Sequence, residues 1–145
     1  TKDISKELHP IILKFGIRVA LENLAEKKFS YSDQNFEIID QTNEELFNEE
    51  INITLYRVAQ EAFTNILKHA NASMIKVTLQ KNNGYVRMQI NDNGIGFDTK
   101  MINKSQSLGL ISISERIADL GGFVNIESNE YGTTLTLDIP EIKSA

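Results

Sequence analysis

The chain has 145 residues, of which 41% are apolar and 24% charged, with a net charge of −5. That length suits one domain burying roughly 70% of its extended-chain surface, and no apolar run approaches the ~20 residues of a membrane helix. The absence of cysteine excludes disulfides and thiolate metal sites, and the acidic balance argues against nonspecific nucleic-acid binding, which needs clustered Lys and Arg, while leaving a small phosphate ligand open.

In chain order, Leu8, Ile11, Ile12, Phe15, Val19 and Leu24 recur at mostly helical spacing. With Pro10 suited to a first helical turn, they predict a helix from about Pro10 to Lys28. FEIID, residues 36 to 40, predicts a short strand followed by the polar loop QTNEE. From Asn48 to Ala70, the residues Leu55, Val58, Ala59, Ala62, Phe63, Ile66, Leu67 and Ala70 mark a long amphipathic helix. MIKVTLQK and YVRMQIND alternate with period two around Asn82-Asn83-Gly84, a β-hairpin with turn residues at its tip. The polar segment DTKMINKSQS leads to a helix over about Leu108 to Leu120, closed by Gly121-Gly122. FVNIESN and TTLTLDI form a second hairpin around EYG, with Pro140 ending the last strand. No internal repeat interrupts this order. Helices on one face of a mixed, mostly antiparallel sheet would bury both apolar stripes, so the expected class is α+β, a two-layer α/β sandwich.

Two polar features stand out. Glu61, Asn65 and Lys68 or His69 line one face of the long helix. A carboxylate there can take a proton, a carboxamide oxygen suits Mg2+, and an ammonium balances phosphate charge. A single carboxamide is enough for magnesium only if a nucleotide brings the ion. The plainer alternative is the ordinary solvated side of an amphipathic helix.

The second feature is NDNGIGFD, residues 91 to 98, at the end of a predicted strand. Calcium fails on ligand count, because an EF-hand loop opening at Asp92 would place Asn103 where a bidentate glutamate is required. The spacing also fits neither a Rossmann nor a P-loop fingerprint. What remains is a local turn, or a strand-end carboxylate that accepts a hydrogen bond from an exocyclic amine such as adenine's, beside glycines that let backbone approach a flat ligand. Downstream, Ser107-Leu108-Gly109-Leu110 opens a predicted helix whose N–H groups suit phosphate, and Gly132-Thr133-Thr134 opens the final strand. Ser107 as an N-cap and the threonines as strand formers are the simpler alternatives.

Taken in order, E-x-x-x-N-x-x-K-H at 61 to 69, D-N-G-I-G at 92 to 96, L-G-L at 108 to 110 and G-T-T at 132 to 134 resemble the N, G1, G2 and G3 boxes of the GHKL superfamily. Gyrase, heat-shock chaperones, histidine kinases and MutL-type repair proteins share that ATP-binding domain. LYRVAQEAFTNILKHANA and LGLISISERIADLGG look like sensor histidine kinases of the nitrate-sensor and desaturase-regulator type. The resemblance covers roughly residues 5 to 140 and implies a Bergerat fold and an ATP-binding catalytic domain that transfers the γ-phosphoryl group of ATP to a histidine.

By that resemblance, Asn65 contacts Mg2+, Lys68 the phosphates and His69 the ribose or phosphate edge, while Asp92 recognises the adenine amino group. Gly94, Ile95 and Gly96 shape the adenine pocket. Ser107, Leu108, Gly109 and Leu110 belong to the lid hinge and phosphate-facing helix start, Thr133 and Thr134 support the adenine site, and Glu61 takes the acidic, general-base position. The sequence departs from the pattern at Ser107, where a glycine is usual, and at Ser114, where the branch commonly carries arginine; Arg116 and Lys104 are candidates to compensate.

His9 is not expected to be the phosphoacceptor, because Pro10 replaces the usual acidic neighbour and the string looks like the end of a second dimerisation helix. The expected division is therefore a dimerisation stub over 1–28 and an ATP-binding domain over 29–145, a fragment unable to autophosphorylate. The implied partners are a histidine-bearing dimerisation domain and a response regulator, within a homodimeric, membrane-anchored parent whose catalytic domain is cytoplasmic. The alternatives are a noncatalytic nucleotide-sensing module and an ATP hydrolase.

Overall fold

The computed structural model describes residues 13–42, 47–70, 72–94 and 104–141. Its elements are α1 (Ile17–Phe29), β1 (Asn35–Asp40), α2 (Glu49–Asn65), β2 (Met74–Asn82), β3 (Tyr85–Asp92), α3 (Lys104–Asp119), β4 (Phe123–Asn129) and β5 (Gly132–Pro140). The strands form one sheet in the order β1-β2-β3-β5-β4. β1 runs parallel to β2, with α2 as the crossover, and every other pairing is antiparallel. The expected α+β sandwich with a mixed, mostly antiparallel sheet is the one observed.

Local chemistry sets the boundaries. Asn48 caps α2, its side-chain oxygen accepting from the Ile51 N–H at 2.9 Å, and Glu49 and Glu50 place negative charge at the positive end of the helix. The β2–β3 turn is Asn83-Gly84 with φ of 52° and 82°, the left-handed pair that a tight hairpin demands. α3 ends in a Schellman motif. Gly121 has φ 76°, its N–H reaches the Ala118 carbonyl, and the Gly122 N–H reaches the Ile117 carbonyl.

One face of the sheet carries Ile75, Val77, Leu79, Val86, Met88, Ile90, Leu135, Leu137 and Ile139, all buried beneath the helices. Leu55, Val58, Ala59 and Phe63 of α2 close on them with Leu21, Leu24 and Ala25 of α1. Phe29 meets Phe63 edge-on at 5.3 Å between ring centroids. The other face is a polar ladder in which Arg87 grips Asp138, Gln89 pairs with Thr136, and Asn91 with Thr134.

Three expectations change. The first helix does not run on from Pro10 within the described residues. Gly16 adopts φ 98°, a value side chains rarely tolerate, and this resets the helical phase: Phe15 is 69% exposed, while Ile17, Ala20, Leu21 and Leu24 are buried. α1 therefore packs into the sandwich core through Ile17, Ala20, Leu21 and Leu24. α3 begins at Lys104 rather than Leu108, so Ser107 is not its N-cap. Leu108, Gly109 and Leu110 then lie inside the helical hydrogen-bond ladder rather than at its open end.

Phe63 is wholly buried. Phe63→Ala is expected to destabilise the fold by about 3–5 kcal/mol, read as a lowered midpoint in urea unfolding.

Candidate nucleotide site

At the carboxyl end of β3, a cavity opens between the sheet and α2. It is lined by Ala62, Asn65, Ile66, Ile90, Asp92, Ile113, Ile126, Thr133 and Leu135. Its walls are largely apolar, and Asp92 supplies the carboxylate. Strand alternation aims this side chain inward with Ile90, while Asn91 between them points to the open face.

Each residue of the D-N-G turn has its own partner. Asp92 Oδ1 accepts the Gly94 N–H at 2.8 Å, and the Thr133 N–H also donates to the carboxylate. Asn93 Oδ1 accepts from the N–H groups of Ser73 and Met74, both at 2.9 Å, and its amide donates to the Ser73 hydroxyl. That latch ties the loop to the start of β2. A carboxylate offers about four lone-pair sites, so two backbone donors orient Asp92 and leave it able to accept from a ligand.

Asp92 is only 4% exposed. Burial raises its pKa above the usual aspartate range, and the N–H groups of Gly94 and Thr133 partly oppose that shift. Gly132 explains how the strands approach this closely: with φ 141°, a Cβ on it would lie 2.0 Å from the Asp92 carbonyl oxygen. Only glycine lets β5 pass there.

Several sequence candidates converge on the cavity and others do not. Asn65, Asp92 and Thr133 line it together, and the Thr133 hydroxyl sits 2.7 Å from that of Ser128. Thr134 points the other way, its hydroxyl accepting from Asn91 at 2.6 Å on the open face, because successive strand residues alternate. Glu61 lies apart, in a second cleft between α2 and α3 with Arg57, Val58, Gln60, Ser112, Ile113 and Arg116.

Lys68 and His69 fall in a π-helical turn, Ile66–Ala70, that widens the end of α2. The straight polar stripe drawn from α spacing therefore bends at Asn65. Such turns inside helices are frequent at functional sites, and Lys68 is exposed on this one. Ile95 and Gly96 lie outside the described residues, as do the side chains of Ser107, Leu108 and Leu110. The apolar lining residues Ile113, Ile126 and Leu135 were not singled out from sequence. Their signal was the same core periodicity that marks every buried residue.

A two-layer sandwich with an apolar cavity over the sheet end, a buried carboxylate at its floor and a carboxamide beside it defines a nucleotide-binding class of domain. Residues 50–143 match the family described as histidine kinase-, DNA gyrase B-, and HSP90-like ATPase, and the chain belongs to that family.

Among curated relatives, it is 39% identical over 141 residues to the sensor histidine kinase MctS of Rhizobium johnstonii, covering 95% of this chain and 31% of that protein. It is also 39% identical over 95 residues to the oxygen sensor histidine kinase NreB of Staphylococcus carnosus, covering 65% of this chain and 27% of the relative. The chain thus spans under a third of the length of these relatives. The fold is shared with the histidine kinase domain of the blue-light activated kinase of Erythrobacter litoralis, at TM-score 0.69 and 18% identity over 86% of this chain and 59% of that one. It is shared too with the catalytic domain of histidine kinase ThkA, at TM-score 0.66 and 18% identity over 97% and 95% of the two chains.

The raised pKa of Asp92 sets a sign for stability. The native state holds its proton to higher pH than the unfolded chain, so the burial penalty is absent below the ordinary aspartate pKa. It grows as pH rises through the elevated native value. Asp92→Asn, which keeps an acceptor for Gly94 and Thr133, is therefore expected to melt at a higher temperature than the unaltered chain at neutral pH. The gain should shrink on acidification, as followed by thermal denaturation across pH.

Proposed function

We propose that this chain is the ATP-binding catalytic domain of a two-component sensor histidine kinase, delivering the γ-phosphoryl group of ATP to a histidine on a separate dimerisation domain. The observation that carries this reading is the buried carboxylate of Asp92, held by backbone donors at the floor of an apolar cavity with Asn65 on its rim.

In this reading Asp92 accepts a hydrogen bond from the adenine amino group. The apolar walls take the faces of the base, Thr133 backs the site, and Gly94, Ile95 and Gly96 are assigned to the adenine pocket. Among the described residues no three His, Asp or Glu side chains gather as a metal site. Magnesium would be held chiefly by nucleotide oxygens, with Asn65 adding one ligand. Exposed Lys68 is assigned to the phosphates together with His69, and so are the α3 residues Ser107, Leu108, Gly109 and Leu110. Glu61, in the neighbouring cleft, is assigned the acidic role of taking a proton or orienting the acceptor. Catalysis by such a domain rests on positioning and electrostatics.

The cavity itself holds about 50 Å³, well below the roughly 300 Å³ of a small ligand pocket. The cavity is open on one side, and Ile113 is the wall residue carried by α3. The homodimeric, membrane-anchored parent, its response regulator and the cytoplasmic placement of this domain belong to the same proposal. No described helix is long and apolar enough to cross a membrane.

Calorimetry with ATP–Mg and phosphotransfer to an added dimerisation domain test this reading together. Asp92→Asn is expected to weaken ATP about 10–100-fold, the scale of one charge-assisted hydrogen bond. Asn65→Ala should mainly remove the magnesium-dependent part of binding. Unchanged affinity in both variants would defeat the site assignment. Binding without any phosphohistidine on the acceptor would favour a noncatalytic nucleotide sensor, and rapid ATP hydrolysis by the chain alone would favour a hydrolase.

A further inference from the structure

The second cleft, between α2 and α3, is distinct in charge from the rest of this acidic chain. Arg57 and Glu61 stand one turn apart on α2, Ser112 and Arg116 face them from α3, and the space between holds about 170 Å³. Neither guanidinium takes part in an ion pair among the described residues, whereas Arg18 and Arg87 both do. Two arginines and one carboxylate leave the cleft net positive, against −5 for the whole chain. The cleft adjoins the nucleotide cavity, since Ile113 forms a wall of both. Arg57 lies about 12 Å from Asn65 along the helix axis, displaced from the face where Asn65 meets the cavity.

We infer that Arg57 and Arg116 form a docking site for an acidic segment of the protein domain that receives the phosphoryl group. This rests on the kinase reading above. The chemistry follows from charge. An acidic domain attracts a negatively charged partner poorly at long range, so a local pair of guanidiniums with no ion-pair partner among the described residues, beside the nucleotide cavity, supplies both attraction and register. Arginine suits the task because its planar fork binds a carboxylate with two parallel hydrogen bonds. Glu61, in the same cleft, sets a second limit: the partner's carboxylate must reach the arginines while a proton donor faces Glu61. A docked segment would therefore bring its acceptor group to the nucleotide edge by way of Ile113. The arginines are positioning residues and touch no reacting atom.

The test uses the chain, ATP–Mg, and the dimerisation domain of the parent kinase supplied as a separate acceptor. Arg57→Ala is expected to raise the KM for the acceptor about tenfold, to flatten the salt dependence of that KM and to leave the ATP dissociation constant within about twofold, and adding Arg116→Ala should raise the acceptor KM further. Arg57→Lys keeps the charge but not the bidentate fork and should recover only part of the loss, including its salt dependence, which separates docking from a folding defect. An unchanged acceptor KM would overturn the proposal. So would a weakening of ATP binding by the same factor, because the arginines would then serve the nucleotide. Failure of the unaltered chain to phosphorylate any acceptor would instead defeat the kinase reading itself.

Discussion

Burying a carboxylate is unfavourable unless hydrogen bonds meet it, and the cavity end of this fold is organised around one such group. Asp92 sits where β3 leaves the sheet, and it is held by N–H groups from two directions: Gly94 ahead of it in the chain and Thr133 across the ladder. The second donor is close enough only because Gly132 brings the β5 backbone against the Asp92 carbonyl. The loop beyond is pinned by Asn93 to the start of β2. Three strands and two glycines thus converge on one side chain. The turn in the sequence is both a local structure and the frame of a site.

This arrangement explains why local turn chemistry and ligand recognition could not be separated in the sequence. The Asp92–Gly94 bond is what a simple Asx turn would make, and it also fixes the carboxylate in the cavity. Distinguishing the two needed the opposite wall, Asn65 and Ile66 on α2 and Ile113 on α3, which only tertiary packing brings near. The division of labour between helices is equally non-local. Glu61 and Asn65 look like neighbours on one stripe, yet α3 wedges Ile113 between their surroundings and gives each its own cleft.

Much of the fold was legible because period-two and helical patterns are strong in this chain. The β2–β3 hairpin, α2, the Gly121 stop and the Pro140 end follow from residues whose backbone preferences agree with their packing. The departures have particular causes. Gly16 reads as one weak helix residue, but its left-handed backbone shifts the phase so that Phe15 faces out. The polar run before Leu108 has few apolar residues to mark a period, which hid four residues of helix, from Lys104 to Ser107. The π turn at Ile66–Ala70 was invisible because its residues fit α periodicity until the widened turn displaces them. Within the site, Asp92, Asn65 and Thr133 were legible by motif. Thr134 was not excluded until the strand register assigned it to the open face.

The central claim is that Asp92 reads the base of a bound adenine nucleotide. A crystal structure of the chain with magnesium and a non-hydrolysable ATP analogue tests it most directly. The account predicts the exocyclic amine about 2.7–3.2 Å from an Asp92 carboxylate oxygen, with the base between Ile113 and the sheet residues Ile90 and Leu135. A base seated elsewhere, with Asp92 bonded only to Gly94 and Thr133, would contradict it.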